Sequence, residues 1–165
     1  MPAACRILNP MSRHTLGWLL VGVQAVLLVA LVLVPHGQTG VARIIIGAAL
    51  MAAGAAFGGA AGFRLGSALT PTPVPLPGAT LSTDGPYRVV RHPIYSAVLV
   101  AAIGFAVAFG SSWTWLIVVL LGLFFWLKSR WEDALLKEAH GPEWESWMST
   151  TGALVPRIPI GRGQR

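Results

Sequence analysis

Charge is what this sequence has least of. Asp, Glu, Lys and Arg make up 11% of its 165 residues, against roughly 25% in an average soluble domain. Cysteine is nearly missing as well: the single Cys5 excludes an internal disulfide and any cysteine-built metal cluster, and it leaves the redox compartment unmarked. The net charge of +6 comes without a basic face interleaved with aromatics, so nucleic acid is not an expected partner. What is abundant is apolar: 55% hydrophobic residues and a mean hydropathy of +0.67, gathered into long uncharged runs instead of amphipathic periods. Burial in a membrane explains that pattern, and positive flanks then record orientation.

The first uncharged run is Thr15 to Ala42, and its continuous apolar part, Leu16 to Val34, has about the length needed to cross roughly 30 Å of hydrocarbon. Arg6 and Arg13 precede it as in a signal peptide. The apolar stretch is long for one, however, and no small-x-small cleavage site follows, so an uncleaved anchor is expected. Pro35 to Gly40 reads as a turn. Ile44 to Phe63 is a second span, in which Gly54, Gly58 and Gly62 let a helix approach closely. Packing within the same bundle is the preferred reading of that seam, with a homodimer interface as the other. Pro71, Pro73, Pro75 and Pro77 make the next segment extended, since alternate prolines cannot donate helix or sheet bonds; it is expected to lie along the membrane-facing rim.

Pro93 to Leu127 is again uncharged, yet a single helix of that length would measure about 50 Å, too long for a bilayer. It must fold back, and Gly110-Ser111-Ser112 is the natural reversal. The expected fold is therefore all-α: a polytopic bundle of about four transmembrane helices with a cytosolic carboxyl-terminal segment. Arg6, Arg13, Arg64, Arg88, Arg91, Lys128, Arg130 and Lys137 fall on one side and only Arg43 on the other, which puts both termini in the cytosol. The chain divides into a two-span scaffold (1–64), a Pro-rich cytosolic loop (65–84), a hairpin and tail (85–160) and a basic tail (161–165).

The hairpin brings two polar segments together, setting Arg88, Arg91, His92 and Tyr95 opposite Lys128, Arg130, Glu132 and Asp133. Arg residues at such flanks routinely meet headgroups. His92-Pro93 is more pointed, because Pro93 suits a first helical turn and fixes the direction of His92. Glu132 and Asp133 are costly beside an apolar boundary unless paired or solvated.

Gly85-Pro86-Tyr87-Arg88-x-x-Arg91-His92-Pro93-x-Tyr95, then Arg130-x-Glu132-Asp133-x-x-Leu136, Gly141 and Val155-Pro156-Arg157-x-Pro159 together resemble the isoprenylcysteine carboxyl methyltransferase family, with its bacterial branch and the phospholipid methyltransferases. The resemblance covers about residues 70 to 160. It implies methyl transfer from S-adenosyl-L-methionine to a lipophilic or small-molecule acceptor (a carboxylate, amine or thiol), with membrane lipid as a further partner, in the bacterial inner membrane with the site facing the cytosol. Arg91, His92, Pro93, Ile94, Tyr95, Glu132 and Asp133 would then hold the cofactor. Lys128 and Arg130 would orient the acceptor, and Arg130 and His92 would be catalytic. No metal is required. An amine or thiol acceptor would need a base, for which His92 has a suitable pKa. The sequence departs from the family at Ala97 (usually Gly), Asp133 (usually Glu), and Trp144 and Trp147 (usually Tyr). An NADPH-dependent membrane reductase of similar fold and a non-enzymatic accessory protein are the alternatives. His36 and His140, both read as turn residues, are expected to lie outside the pocket.

Overall fold

The computed structural model describes residues 10–76 and 78–157. Cys5, Arg6, Pro77, Pro159 and the tail 161–165 lie outside the described residues. Four long or apolar helices carry the architecture: α1 (Pro10–Leu33), α2 (Val41–Leu65), α4 (Pro93–Phe109) and α5 (Ser112–His140). A one-turn α3 (Pro86–Val89) and a nine-residue α6 (Pro142–Thr150) complete it. Among the described residues α1, α2 and α5 are each long and apolar enough to cross a membrane, and α4 is a shorter apolar helix. Their outward faces are apolar, with Val26, Ile45 and Val119 all more than 60% exposed. The chain is a polytopic all-α membrane bundle.

Local chemistry explains the helix ends. The reversal at Gly110 is sealed by a capping box, in which the Ser111 backbone N–H donates to the Thr114 hydroxyl at 3.1 Å and Ser111 Oγ accepts from the Thr114 amide. Arg43, near the start of α2, donates to the Val107 and Gln38 carbonyls at 2.8 and 2.6 Å. With Thr39 donating to the Ala108 carbonyl at 2.8 Å, it satisfies the open carboxyl end of α4. At the other end of α5, Gly141 takes a φ of 53°, where a side chain would be strained, and turns the chain into α6.

The small residues of α2 are consumed inside the bundle. Gly47, Gly54 and Ala61 are its buried positions, and the two glycines face α4. A Cβ on Gly54 would stand 2.7 Å from the Ala97 carbonyl oxygen, and one on Gly58 would stand 2.9 Å from the Ala97 methyl. The preferred reading of span two, packing within the bundle, is what α4 provides at Gly47, Gly54 and Gly58. The same contact explains Ala97: the extra methyl lies against a glycine across the interface. Beside this seam, Leu31, Ala102, Ala106, Val118, Leu121 and Phe125 form the core where α1, α4 and α5 meet.

This packing is directly testable. Gly54→Ala should lower stability by about 1–3 kcal/mol, the usual cost of overpacking, whereas Gly59→Ala, which meets nothing within 4 Å, should leave it unchanged. Thermal unfolding in detergent checks both; equal effects would show that the α2–α4 contact is not limiting.

Candidate functional site

Two devices bring the polar motif to a fixed place. Pro93 starts α4 with His92 as its N-cap residue, so His92 is held just outside the first turn. Residues 151–154 then run alongside: Val90 pairs with Gly152 in an isolated parallel bridge, and the Arg91 and His92 amides donate to the Gly152 and Ala153 carbonyls at 2.8 and 3.1 Å. Ser96 Oγ donates to the Leu154 carbonyl at 2.7 Å. The carboxyl-terminal strap thereby satisfies the backbone of the motif at the membrane boundary.

Asp133 is the centre of the charges. Its Oδ1 and Oδ2 accept from Arg91 Nε and Nη2 at 3.2 and 2.7 Å, a bidentate pair, and Oδ1 also lies 3.0 Å from His92 Nε2. The other ring nitrogen, Nδ1, is 3.5 Å from Glu132 Oε2, which accepts from the Tyr95 hydroxyl at 2.6 Å. Burial by itself would push the His92 pKa down, but the Glu132 charge and the hydrogen bonds to Asp133 and Glu132 outweigh it and raise it to about 9. The two carboxylates that clamp the ring therefore favour its imidazolium form. Such a group has no lone pair to offer as a base. Tyr87 is also held protonated, by burial first and then by the Glu132 charge.

Aromatic rings continue the arrangement into the bundle. His92 stacks on Tyr95 at 5.5 Å and Tyr95 on Phe125 at 5.0 Å between centroids. Lys128 Nζ lies 4.8 Å from the Tyr95 ring centroid and donates to Gln24 Oε1 at 2.7 Å. All these groups except Asp133 and Phe125 line a cavity of about 320 Å³, closed on its other side by residues 68–76 and 79–82. The Pro-rich segment is thus a wall of the cavity, where the sequence suggested a membrane rim; its prolines leave an extended backbone free to lie across the polar motif.

Of the candidate residues, Arg91, His92, Pro93, Ile94, Tyr95, Lys128 and Glu132 share this cavity, with Asp133 behind it. Arg130 does not join them. It is exposed and its guanidinium lies 5.3 Å from the Trp126 ring centroid, because at 100° per residue position 130 points away from positions 128 and 132. Arg88 is likewise exposed. His140 lines the cavity, contrary to its reading as a remote turn residue: it lies on the same face of α5 as Lys128, Glu132 and Leu136, at spacings of four. His36 sits away from the site, against Phe105 and Phe109. Gln24 was missed, although it is the sole amide within the apolar run Leu16 to Val34. Trp147 lines the cavity and donates from Nε1 to the Tyr87 carbonyl at 3.2 Å; Trp144 lies behind, its ring 5.8 Å from the Arg91 guanidinium carbon.

A membrane bundle with a polar, carboxylate-bearing cavity at the boundary of two antiparallel helices defines the general class. The comparison with known families makes it specific: the phospholipid methyltransferase family matches residues 42–143. The chain belongs to that family. It is also 33% identical over 86 residues to the cobalt-zinc-cadmium resistance protein CzcN of Cupriavidus metallidurans, a match covering 52% of this chain and 39% of that relative. No solved structure matches.

The clamp around His92 predicts a pH dependence. Its pKa is about 9 when folded and about 6.5 when unfolded, so its contribution to stability is complete below about pH 6.5 and disappears as pH rises through about 9. The unfolding midpoint in detergent should fall across that window, and His92→Gln should flatten the fall. An unchanged slope in the variant would mean another group controls it.

Proposed function

We propose that the chain catalyses S-adenosyl-L-methionine-dependent methyl transfer to a lipophilic or small acceptor, with the cofactor in the cavity between residues 68–82 and the α4–α5 hairpin. The observation that carries this reading is the convergence, on one cavity, of the Glu132 carboxylate, the Tyr95 hydroxyl and the His92 imidazolium in a chain of a methyltransferase family. The cofactor fits the donor set: a carboxylate suits an ammonium or ribose hydroxyls, and an aromatic wall suits an adenine ring. When bound, S-adenosyl-L-methionine supplies a methyl carbon already activated by the sulfonium, so alignment and electrostatics are the protein's main contribution.

The residues divide that work. Glu132 would hold the polar end of the cofactor, itself oriented by Tyr95 and His92. Asp133 positions His92 and Arg91 from behind. Ile94 and Pro93 supply apolar wall, and the Pro-rich segment excludes water. Lys128, at the inner end, would face the acceptor. His92 would act as a fixed positive charge; an acceptor needing deprotonation must lose its proton elsewhere. A nicotinamide dinucleotide is less well served, because its several phosphates need several cations, and Arg91 is engaged by Asp133. The resistance named in the Cupriavidus relative is not transferred, since that match spans 39% of its length.

Calorimetric titration of the purified protein in detergent should detect S-adenosylhomocysteine with micromolar affinity, weakened about tenfold or more in Glu132→Gln, the scale of one charge-assisted hydrogen bond. Saturable NADPH binding with no S-adenosylhomocysteine binding would overturn the assignment. We further propose a bacterial inner membrane location with both termini and the cavity in the cytosol, following the basic flanks. In a Cys5→Ser background, a membrane-impermeant maleimide should label Gln38→Cys and spare Asp84→Cys in spheroplasts; the reverse would invert the topology.

A further inference from the structure

The connections between helices are not held alike. The turn after α1 is tied to α4, with the Gly37 amide donating to the Phe109 carbonyl at 2.9 Å and Thr39 to the Ala108 carbonyl at 2.8 Å. The strap at residues 151–154 accepts from the Arg91 and His92 amides. Between α2 and α3, residues 67–76 and 78–83 make no hydrogen bond to another element among the described residues. Their bonds are local: Leu69 N–H to the Gly66 carbonyl, Ala79 N–H to the Leu76 carbonyl and the Thr70 hydroxyl to the Thr72 carbonyl, at 3.2, 3.1 and 2.8 Å. Yet this segment is what closes one side of the cavity.

Shape seats it instead. Thr72 and Pro73 are buried, and a Cβ placed on Gly17 of α1 would stand 3.2 Å from Thr72 Cβ and 3.5 Å from Val74 Cγ2. Gly17 is therefore a notch that the segment fills. Gln24, two turns further along the same face of α1, accepts from Lys128 at 2.7 Å, and Arg13 pairs with Glu138 at 3.1 Å, so the notch is fixed relative to α5. At the base of the segment Gly66 and Gly85 take φ values of 51° and 58°, a region open to glycine. Beside them Arg64 and Asp84 pair at 3.3 Å with half or more of each side chain exposed, a kind of bond that contributes little. Pro71, Pro73 and Pro75 keep the backbone between extended and stiff. A stiff segment with glycine at both ends, held by van der Waals contact and one exposed ion pair, opens at lower free energy than the helices it covers.

We infer that this segment is a lid, turning at Gly66 and Gly85 and seated by Thr72 and Val74 in the Gly17 notch, and that the cofactor enters and leaves the cavity when it lifts. Residues 65–83 carry no charged side chain, so lifting breaks no ion pair beyond the one at the base, and the hydroxyls of Thr70, Thr72, Thr80 and Ser82 return to water. Lowered, the lid completes the wall of the cavity that holds Tyr95 and Glu132 and keeps water from them. Its seat lies on α1, before the residues that carry the family match at 42–143. The first helix thus governs access to the site as well as packing against it. The identity of the ligand rests on the proposed methyl transfer; the motion rests on the cavity and its wall alone.

Pulsed electron resonance on the full chain in detergent tests it, with nitroxides at Thr80→Cys and Glu143→Cys, both exposed, in a Cys5→Ser background. The ligand-free protein should give two distances, S-adenosylhomocysteine should gather the population into that of the seated lid, and Gly17→Leu should shift it to the other. Gly17→Leu should also speed S-adenosylhomocysteine release about tenfold, on the scale of overpacking a filled notch. Gly22→Leu, on the same helix with nothing within 4 Å, should change neither. The converse variant joins Gly17→Cys to Thr72→Cys without nitroxides, the 3.2 Å separation being close to the roughly 3.5–4.5 Å that a disulfide spans between Cβ atoms. Oxidation should slow release about tenfold or more and reduction should restore it. A single distance that Gly17→Leu does not move, or equal release from the oxidised and reduced pair, overturns the lid. Two distances that respond to Gly17→Leu, with no S-adenosylhomocysteine bound by the wild type, leave the lid standing and fail the methyl-transfer assignment.

Discussion

The site depends on Asp133 accepting from two cations at once. Arg91 and His92 are adjacent in sequence and both turned inward, with side-chain exposures of 10% and 2%. Two buried positive charges side by side would repel and lack hydration; one carboxylate bridging them converts a cost into a rigid joint between the start of α4 and the end of α5. Removing one member of such a buried set typically costs about 3–5 kcal/mol, because the remaining charge is stranded. The strap at residues 151–154 is tied to the same joint: Arg91 Nη1 donates to the Thr151 carbonyl at 2.5 Å. Helix start, helix end and carboxyl-terminal strap are therefore parts of one electrostatic unit, and the cavity takes its shape from it.

Helix length then sets where that unit sits. At 17 residues, α4 rises about 25 Å, less than the roughly 30 Å of hydrocarbon. With 29 residues, α5 rises about 43 Å and extends past the bilayer. The two share an end at Gly110, so the near end of α4 lies below the end of α5, and the polar motif is drawn toward the apolar layer while α5 continues alongside it. Arg43 and Thr39 complete the far end of α4, which makes a short helix tolerable there. A short helix ending beside a longer one leaves a recess at the polar motif, lined by the α5 side chains Lys128 and Glu132 and by Gln24 of α1.

Most of this was legible from spacing and charge, and the misses have identifiable causes. Uncharged runs and the reversal at Gly110 give the four helices because a bilayer fixes their length. The meeting of Arg91, His92 and Tyr95 with Lys128, Glu132 and Asp133 follows from the hairpin. Arg130 was grouped with them by proximity in sequence, although helical periodicity separates it: Lys128, Glu132, Leu136 and His140 recur every four residues on one face and Arg130 does not. The same periodicity would have admitted His140. Gln24 and the Pro-rich wall are harder, because their role depends on which helices pack together and where an extended segment lies, and neither is encoded in a local period. The amide inside an apolar run was the available signal for Gln24.

The departures from the family pattern are mutually consistent once the packing is known. Ala97 meets Gly58, so close approach survives by exchange of the small residue across the interface. Asp133 is one methylene shorter than the usual Glu, and from its position it reaches both Arg91 and His92. Trp144 and Trp147 replace hydroxyls with indoles: Trp147 donates to the Tyr87 carbonyl, whereas buried Trp144 Nε1 has no hydrogen-bond partner among the described residues and its ring lies against Arg91. The tail thus contributes bulk and an aromatic face behind the charged joint, with less hydrogen-bonding capacity than a pair of tyrosines. At the other end of the cavity the ammonium of Lys128 is held by an amide from the first helix, Gln24.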